Sequence, residues 1–301
     1  MSDNSLSPSR LATYATCPRQ YEYNYPQDIN TPDRTELYLN QGKIYHETIE
    51  DVCDVTEQGD EAETIHARAL RIFDEKWNEH SNPDDYESAA HRKYQRIENQ
   101  VAIEAFFEPN EGDGIEHARR SVATECWVEC ERDGRGLHGK ADNVIRTDDG
   151  LHIFDYKRNT KGMLSTRTAE YLIDHLNGDG HEAKRVRNAF QTATYIEGVK
   201  NEPFYEDGMD VRFSFYGLLN STSFESTPSG YEVSVRGYPS ETTEIYEEHH
   251  DTIWALIRAA HDGITNETYE PELFEIISEE ACPDCVYREM CTDRLSTEVR
   301  R

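Results

Sequence analysis

Lysine is scarce in this sequence: only 8 of its 31 basic residues are lysine, and the other 23 are arginine. Long apolar runs are absent, which excludes a helix of about 20 apolar residues crossing a bilayer. The opening residues, MSDNSLSPSR, carry no apolar segment of the kind that directs secretion. A cytoplasmic location with no membrane partner is therefore expected. No internal repeat or low-complexity segment is found, which sets repeat arrays and biased linkers aside.

Negative charge is what the chain has in excess. Asp and Glu number 60, giving a formal net charge of −29. A carboxylate-rich, lysine-poor surface keeps a protein soluble through self-repulsion, a device of halophiles. The expected setting is the cytosol of a salt-loving archaeon. Such a charge would repel nucleic acid, but molar salt confines that repulsion to about 3 Å. A local basic groove would then suffice. Hydrophobic residues make up 36% and aromatics 10%, enough for a real core. A length of 301 residues suits one large domain, or one with an insertion.

Apolar spacing predicts helices over Ser7–Tyr23, Leu37–Val55, Glu63–Glu79 and Ala89–Phe107. Character changes at Ser121. Ser121–Glu131, Gly136–Thr147 and Leu151–Lys157 read as strands, separated by the turn signals Asp133-Gly134 and Asp148-Asp149-Gly150. This is a three-stranded antiparallel meander. A helix over Ala183–Val199, strands over Val211–Leu219 and Tyr231–Tyr238, a long helix over Glu241–Asp262 and a cysteine-rich tail follow. The expected organisation is a helical region over 1–120, an α/β core over 121–262 and a tail over 263–301.

The informative stretch runs from Leu137 to Lys157. Asp142 lies on one strand, in Gly139-Lys140-Ala141-Asp142; Asp155 and Lys157 lie on the next, in Phe154-Asp155-Tyr156-Lys157. Pairing across the tight turn would bring the two carboxylates together. Asp155 and Lys157, two apart on a strand, share a face. Converging carboxylates repel unless a cation lies between them, and hard oxygen ligands favour Mg²⁺ or Mn²⁺. A lysine beside such an ion can orient or deprotonate a water and stabilise charge on a phosphate. Taken alone, Asp-x-Lys is most often a surface ion pair.

Gly-Lys-Ala-Asp followed by Phe-Asp-Tyr-Lys resembles the PD-(D/E)XK nuclease site in its RecB-like branch. His46, in Gly42-Lys43-Ile44-Tyr45-His46, is similar to that branch's upstream metal-binding histidine. Gln191 and Tyr195, four apart on one helix face, are similar to its Gln-x-x-x-Tyr helix. Ala141 stands where the motif's name has Pro. The resemblance implies a restriction-endonuclease-like core, a mixed sheet flanked by helices. It also implies a metal-dependent DNA exonuclease of the CRISPR-associated or repair type. His46, Asp142 and Asp155 would bind metal, Lys157 would activate water, and Gln191 and Tyr195 would shape the site. Glu125 is either an outer metal ligand or a solvated strand residue.

Of seven cysteines, Cys282, Cys285 and Cys291 form C-x2-C-x5-C in the tail, and Cys17 lies far upstream. Cytosolic proteins rarely keep disulfides, so this spacing points to a metal site or a redox pair. Four thiolates suit zinc or an iron–sulfur cluster. One cysteine before the core and three after it resembles the iron–sulfur RecB-type nucleases, which implies a structural [4Fe–4S] cluster. If closure acts as it does for a disulfide, the clamp would stabilise by about 5 kcal/mol. Cys53, Cys126 and Cys130 fall outside this set and suit core packing.

Three basic groups could hold DNA phosphates: Lys157, Arg158, Lys161 and Arg167; Lys184, Arg185 and Arg187; Arg92, Lys93 and Arg96. Each could equally be a salt-bridged patch. Tyr14, Tyr21, Tyr23 and Tyr25 could stack on single-stranded bases or pack in the core. The expected partner is DNA, as single strands or duplex ends, with helicase or CRISPR adaptation proteins as further candidates. The rival reading is a non-catalytic DNA- or protein-binding subunit clamped by zinc or iron–sulfur.

Overall fold

The structure, a computed structural model, describes residues 5–29, 36–227 and 230–299. Six helices come first: α1 Pro8–Thr16, α2 Pro18–Asn24, α3 Glu36–Asp54, α4 Ala62–His80, α5 Ala89–Phe106 and α6 Gly114–Arg120. Strands β1 Ser121–Arg132, β2 Arg135–Arg146 and β3 Gly150–Lys157 follow, then helices α7 Tyr171–Asn177 and α8 Ala183–Val199. Strands β4 Asp210–Thr227 and β5 Gly230–Glu241 precede α9 Thr243–Glu248, α10 His250–Thr265, α11 Phe274–Glu280 and α12 Thr292–Val299.

Two expected helices are divided. Ser7–Tyr23 breaks at Cys17, whose backbone is extended at φ −166° and ψ 119°. Pro18 is the cause, since the residue before a proline is disfavoured in the helical region. Pro8 and Pro18 each open a helix where the missing N–H costs nothing. The Ser7 hydroxyl caps α1 by accepting the Arg10 N–H at 3.3 Å. Glu241–Asp262 likewise divides at His249 into α9 and α10. The short helices α6, α7, α11 and α12 were not expected from the sequence.

The sheet has the order β1-β2-β3-β4-β5. All its pairings are antiparallel except β3 with β4, which is parallel. The crossover between those two strands carries α7 and α8, as a parallel pair requires. Side chains alternate between two helical layers. Leu151, Ile153, Phe213 and Phe215 pack with Phe190 and Ala193 of α8 and Ile253 and Ile257 of α10. Phe154, Tyr156 and Tyr216 pack on the opposite face with Ile44 and Ile49 of α3, Phe73 and Trp77 of α4 and Ile103 of α5. Burying each such side chain stabilises by about 1.5–3 kcal/mol.

Close approach of α8 to the sheet depends on two glycines. A Cβ on Gly198 would lie 2.8 Å from the Cβ of Val128 on β1. Gly139 on β2 makes room in the same way for Tyr195. None of the described helices is long and apolar enough to cross a membrane.

Candidate active site

Strands β2 and β3 pair with Asn143 opposite Phe154 and Val144 opposite Ile153. One step further along lie Asp142 and Asp155. Opposed residues of an antiparallel pair share a face, and Val144 and Ile153 belong to the layer under α8. The two carboxylates therefore project toward α8 together. The Tyr156 backbone N–H donates to Asp142 Oδ2 at 2.7 Å, which fixes that carboxylate against β3. Lys157 Nζ donates to Asp155 Oδ1 at 2.7 Å.

Two helices complete the cluster from either side. From α3, His46 places Nδ1 3.2 Å from Asp142 Oδ2. From α8, Gln191 Nε2 donates to Asp155 Oδ2 at 3.5 Å. Tyr195, one turn further along α8, is buried with its ring against Gly139. All six expected site residues thus meet at the open end of the β2–β3 pair.

The electrostatics are those of a buried charge cluster. Burial opposes ionisation of Asp142, but His46, Lys157 and the Tyr156 N–H outweigh it and hold this carboxyl below its usual range. Burial pushes Asp155 up to about 6; Lys157 opposes this, and the Asp142 charge adds to it. Burial disfavours a charged His46, yet the neighbouring Asp142 carboxylate raises it to about 9. Burial pulls Lys157 down, and the charges of Asp155 and Asp142 more than reverse that. One imidazole and two carboxylates, with the Lys157 ammonium on Asp155, form a donor set that fits a hard divalent ion.

Glu125 joins the cluster from β1. Its ligand atoms and those of His46 and Asp142 lie within 4.8 Å of one another. Its backbone sits at φ +46°, in the left-handed region and within a strand. Such conformations concentrate at functional sites because surrounding structure must hold them. No glycine or asparagine marks this position, so the left-handed backbone of this candidate ligand carries no sequence signal. The Tyr156 N–H was equally invisible, because backbone groups leave no mark in a motif.

The four tail and N-terminal cysteines line one pocket: Cys17, Cys282, Cys285 and Cys291. Cys17 sits between α1 and α2, and its sulfur accepts from the backbone N–H groups of Arg19 and Gln20. Around the pocket the chain's first and last segments are joined. Arg19 Nε pairs with Asp293 at 2.7 Å. Tyr287 donates to Asn24 at 2.6 Å. The Tyr23 and Tyr287 rings meet edge-on at 5.3 Å. Thiolate donors with amide N–H support suit a soft metal or cluster. Cys53 and Cys130 are buried in the two main cores, and Cys126 packs against one.

Many of the basic residues are engaged within the protein. Arg158 donates to Glu98 at 2.5 Å and to Gln41 at 3.1 Å. Arg185 pairs with Glu182, and Arg96 with Asp74. Arg92 bonds Ser81 and lies over Trp77. Arg187 differs: it is exposed, lies one turn before Gln191 on α8, and its charge reaches Lys157. Tyr21 and Tyr23 are buried, and Tyr14 and Tyr25 pack against Tyr21. Core packing accounts for these tyrosines.

The family model of the PD-(D/E)XK nuclease superfamily matches residues 5–292. The chain belongs to that superfamily. Its five-stranded mixed sheet between helical layers is the fold of a PD-(D/E)XK nuclease. No curated protein matches the chain. A crystal structure of a presumed exonuclease from Eubacterium rectale is similar, with a TM-score of 0.47 and 11% identity. The match covers 97% of this chain and 88% of that one.

Proposed function

We propose that this PD-(D/E)XK protein is a Mg²⁺- or Mn²⁺-dependent deoxyribonuclease, acting as an exonuclease on single strands or duplex ends. The observation that carries the reading is the convergence of His46, Asp142, Asp155, Lys157 and Gln191 at one strand-pair end. His46, Asp142 and Asp155 would hold the cation. When bound, it supplies a Lewis acid for the phosphate. Lys157 activates the attacking water and steadies charge building on the phosphate. Gln191 orients Asp155, and Tyr195 walls the site beside Gly139. Arg187 holds a backbone phosphate on the approach.

Exonuclease action and single-strand preference rest on the RecB-like resemblance of the motif set, as do helicase or CRISPR-adaptation partners. A cytoplasmic, high-salt setting is supported by the charge of −29. Cys17, Cys282, Cys285 and Cys291 would bind a structural [4Fe–4S] cluster, with zinc as the alternative occupant. Their shared pocket and the N–H bonds to Cys17 support this.

The test is digestion of linear and circular single-stranded DNA and of blunt duplex, in molar KCl with Mn²⁺. Linear strands are expected to be degraded from an end, circles spared, and Asp155→Ala inactive. Full activity of Asp155→Ala, or DNA binding without cleavage with either cation, would end the assignment. A broad visible absorption band in the anaerobically purified protein identifies iron–sulfur. A colourless protein with bound zinc refutes it.

A further inference from the structure

On β1, Glu125 lies between Thr124, opposite Asn143 of β2, and Cys126, opposite Ala141. That position lies alongside Asp142. The left-handed backbone at φ +46° re-aims the side chain relative to a regular strand residue. The result is a compact trio: donor atoms of Glu125, His46 and Asp142 within 4.8 Å of one another. Asp155 carries Lys157 on one oxygen and Gln191 on the other. The ammonium of Lys140 rests on the Glu125 carboxylate. Glu50 on α3 adds negative charge beside Glu125 and Lys140.

We propose that Glu125 is a ligand of the divalent cation shared with His46 and Asp142, and that Lys140 is the stand-in charge this cation displaces. The inference rests on the nuclease reading and adds a carboxylate that its D…DxK motif does not contain. The chemistry favours exchange. Lys140 is 42% exposed, and an exposed lysine–carboxylate pair is held only weakly. A divalent ion facing two carboxylates and an imidazole gains far more Coulomb energy from the same oxygen. If Glu125 were only the surface partner of Lys140, neither residue would touch cation affinity.

The test is Mn²⁺ titration of the metal-stripped protein in molar KCl, with free Mn²⁺ read by electron paramagnetic resonance. Glu125→Gln is expected to weaken binding at least about tenfold. Lys140→Gln is expected to tighten it, because its competing ammonium is gone. Wild-type affinity in Glu125→Gln overturns the proposal. Unchanged or weaker binding in Lys140→Gln overturns the displacement. Melting curves of the metal-free variants check folding. If Glu125→Gln does not fold, Lys140→Gln carries the test alone. Loss of binding in Asp142→Asn with none in Glu125→Gln removes this inference and leaves the nuclease reading standing. A wild-type protein that binds no Mn²⁺ removes both.

Discussion

The Tyr195 ring fills the space a side chain on Gly139 would need: a Cβ there would lie 2.6 Å from Tyr195 Cε1. This relation joins the two halves of the site, since Gly139 precedes Asp142 on β2 and Tyr195 follows Gln191 on α8. Gly139→Ala must therefore push α8 off the sheet or turn the ring. Such overpacking costs about 1–3 kcal/mol. A lowered denaturant midpoint with reduced cleavage is expected. An unchanged midpoint would show that α8 yields freely.

On the proposed reading, Lys157 acts on the reaction more than on the fold. Lys157→Met is expected to lower the cleavage rate by about 10²–10³-fold, in line with removal of one aimed donor. Mn²⁺ affinity should be kept or improved, because the Asp155 oxygen it occupies at 2.7 Å becomes free. Single-turnover cleavage and Mn²⁺ titration measure the two effects separately.

Acid should destabilise the protein through a histidine far from solvent. His117 packs on Phe154 at 4.0 Å, bonds the Tyr156 hydroxyl at 2.8 Å, and is held down at about 3, by burial first and His152 second. Its folded value lies below its unfolded value of 6.5. Above pH 6.5 neither state binds the proton; below it only the unfolded chain does. Stability is therefore lost as pH falls from 6.5 toward 3, by about 1.4 kcal/mol per pH unit. Unfolding by guanidinium at pH 7 and pH 5.5 should show a smaller loss in His117→Gln than in wild type. Equal losses would assign the acid limb to other groups.

Arg187 is exposed beside the site, where Arg158 and Arg185 are held by carboxylates. Arg187→Ala should weaken DNA binding for all sequences and lower the salt slope by about one. Binding isotherms at several KCl concentrations measure this. An unchanged slope would place the phosphate path elsewhere.

Cys291→Ser should lose the bound iron or zinc and melt at lower temperature, with the nuclease strands still folded. Metal analysis and thermal unfolding check this together. A variant that keeps its full metal content would remove Cys291 from the ligand set.

Much of this site was legible because its parts are local. The turn Asp148-Asp149-Gly150 and the two-residue alternation of Asp155 and Lys157 place three functional groups without long-range information. Helix α8 was expected with the bounds it has, Ala183–Val199, since its apolar repeat is unbroken. The break at Cys17 was written in Pro18, but the apolar repeat running through it read as one helix. The parallel pairing of β3 and β4 is not written locally, because strand direction depends on the crossover. Strand β4 runs on to Thr227, past the expected end at Leu219. A register shift between Gly217 and Ser221 lets the ladder continue past Leu219. Glu125 stood in the sequence as either an outer metal ligand or a solvated strand residue, but its left-handed backbone carries no local signal.

Helix α1 packs on both α8 and α10 and leads directly into Cys17. Arg19, Tyr23 and Asn24, just beyond, find partners in the segment from Tyr287 to Asp293. During synthesis the strands bearing Asp142 and Asp155 leave the ribosome well before that segment does. Those two carboxylates can thus come together early, while the seam between first and last helices closes late. A nascent chain would carry its chemistry before it carries its lock.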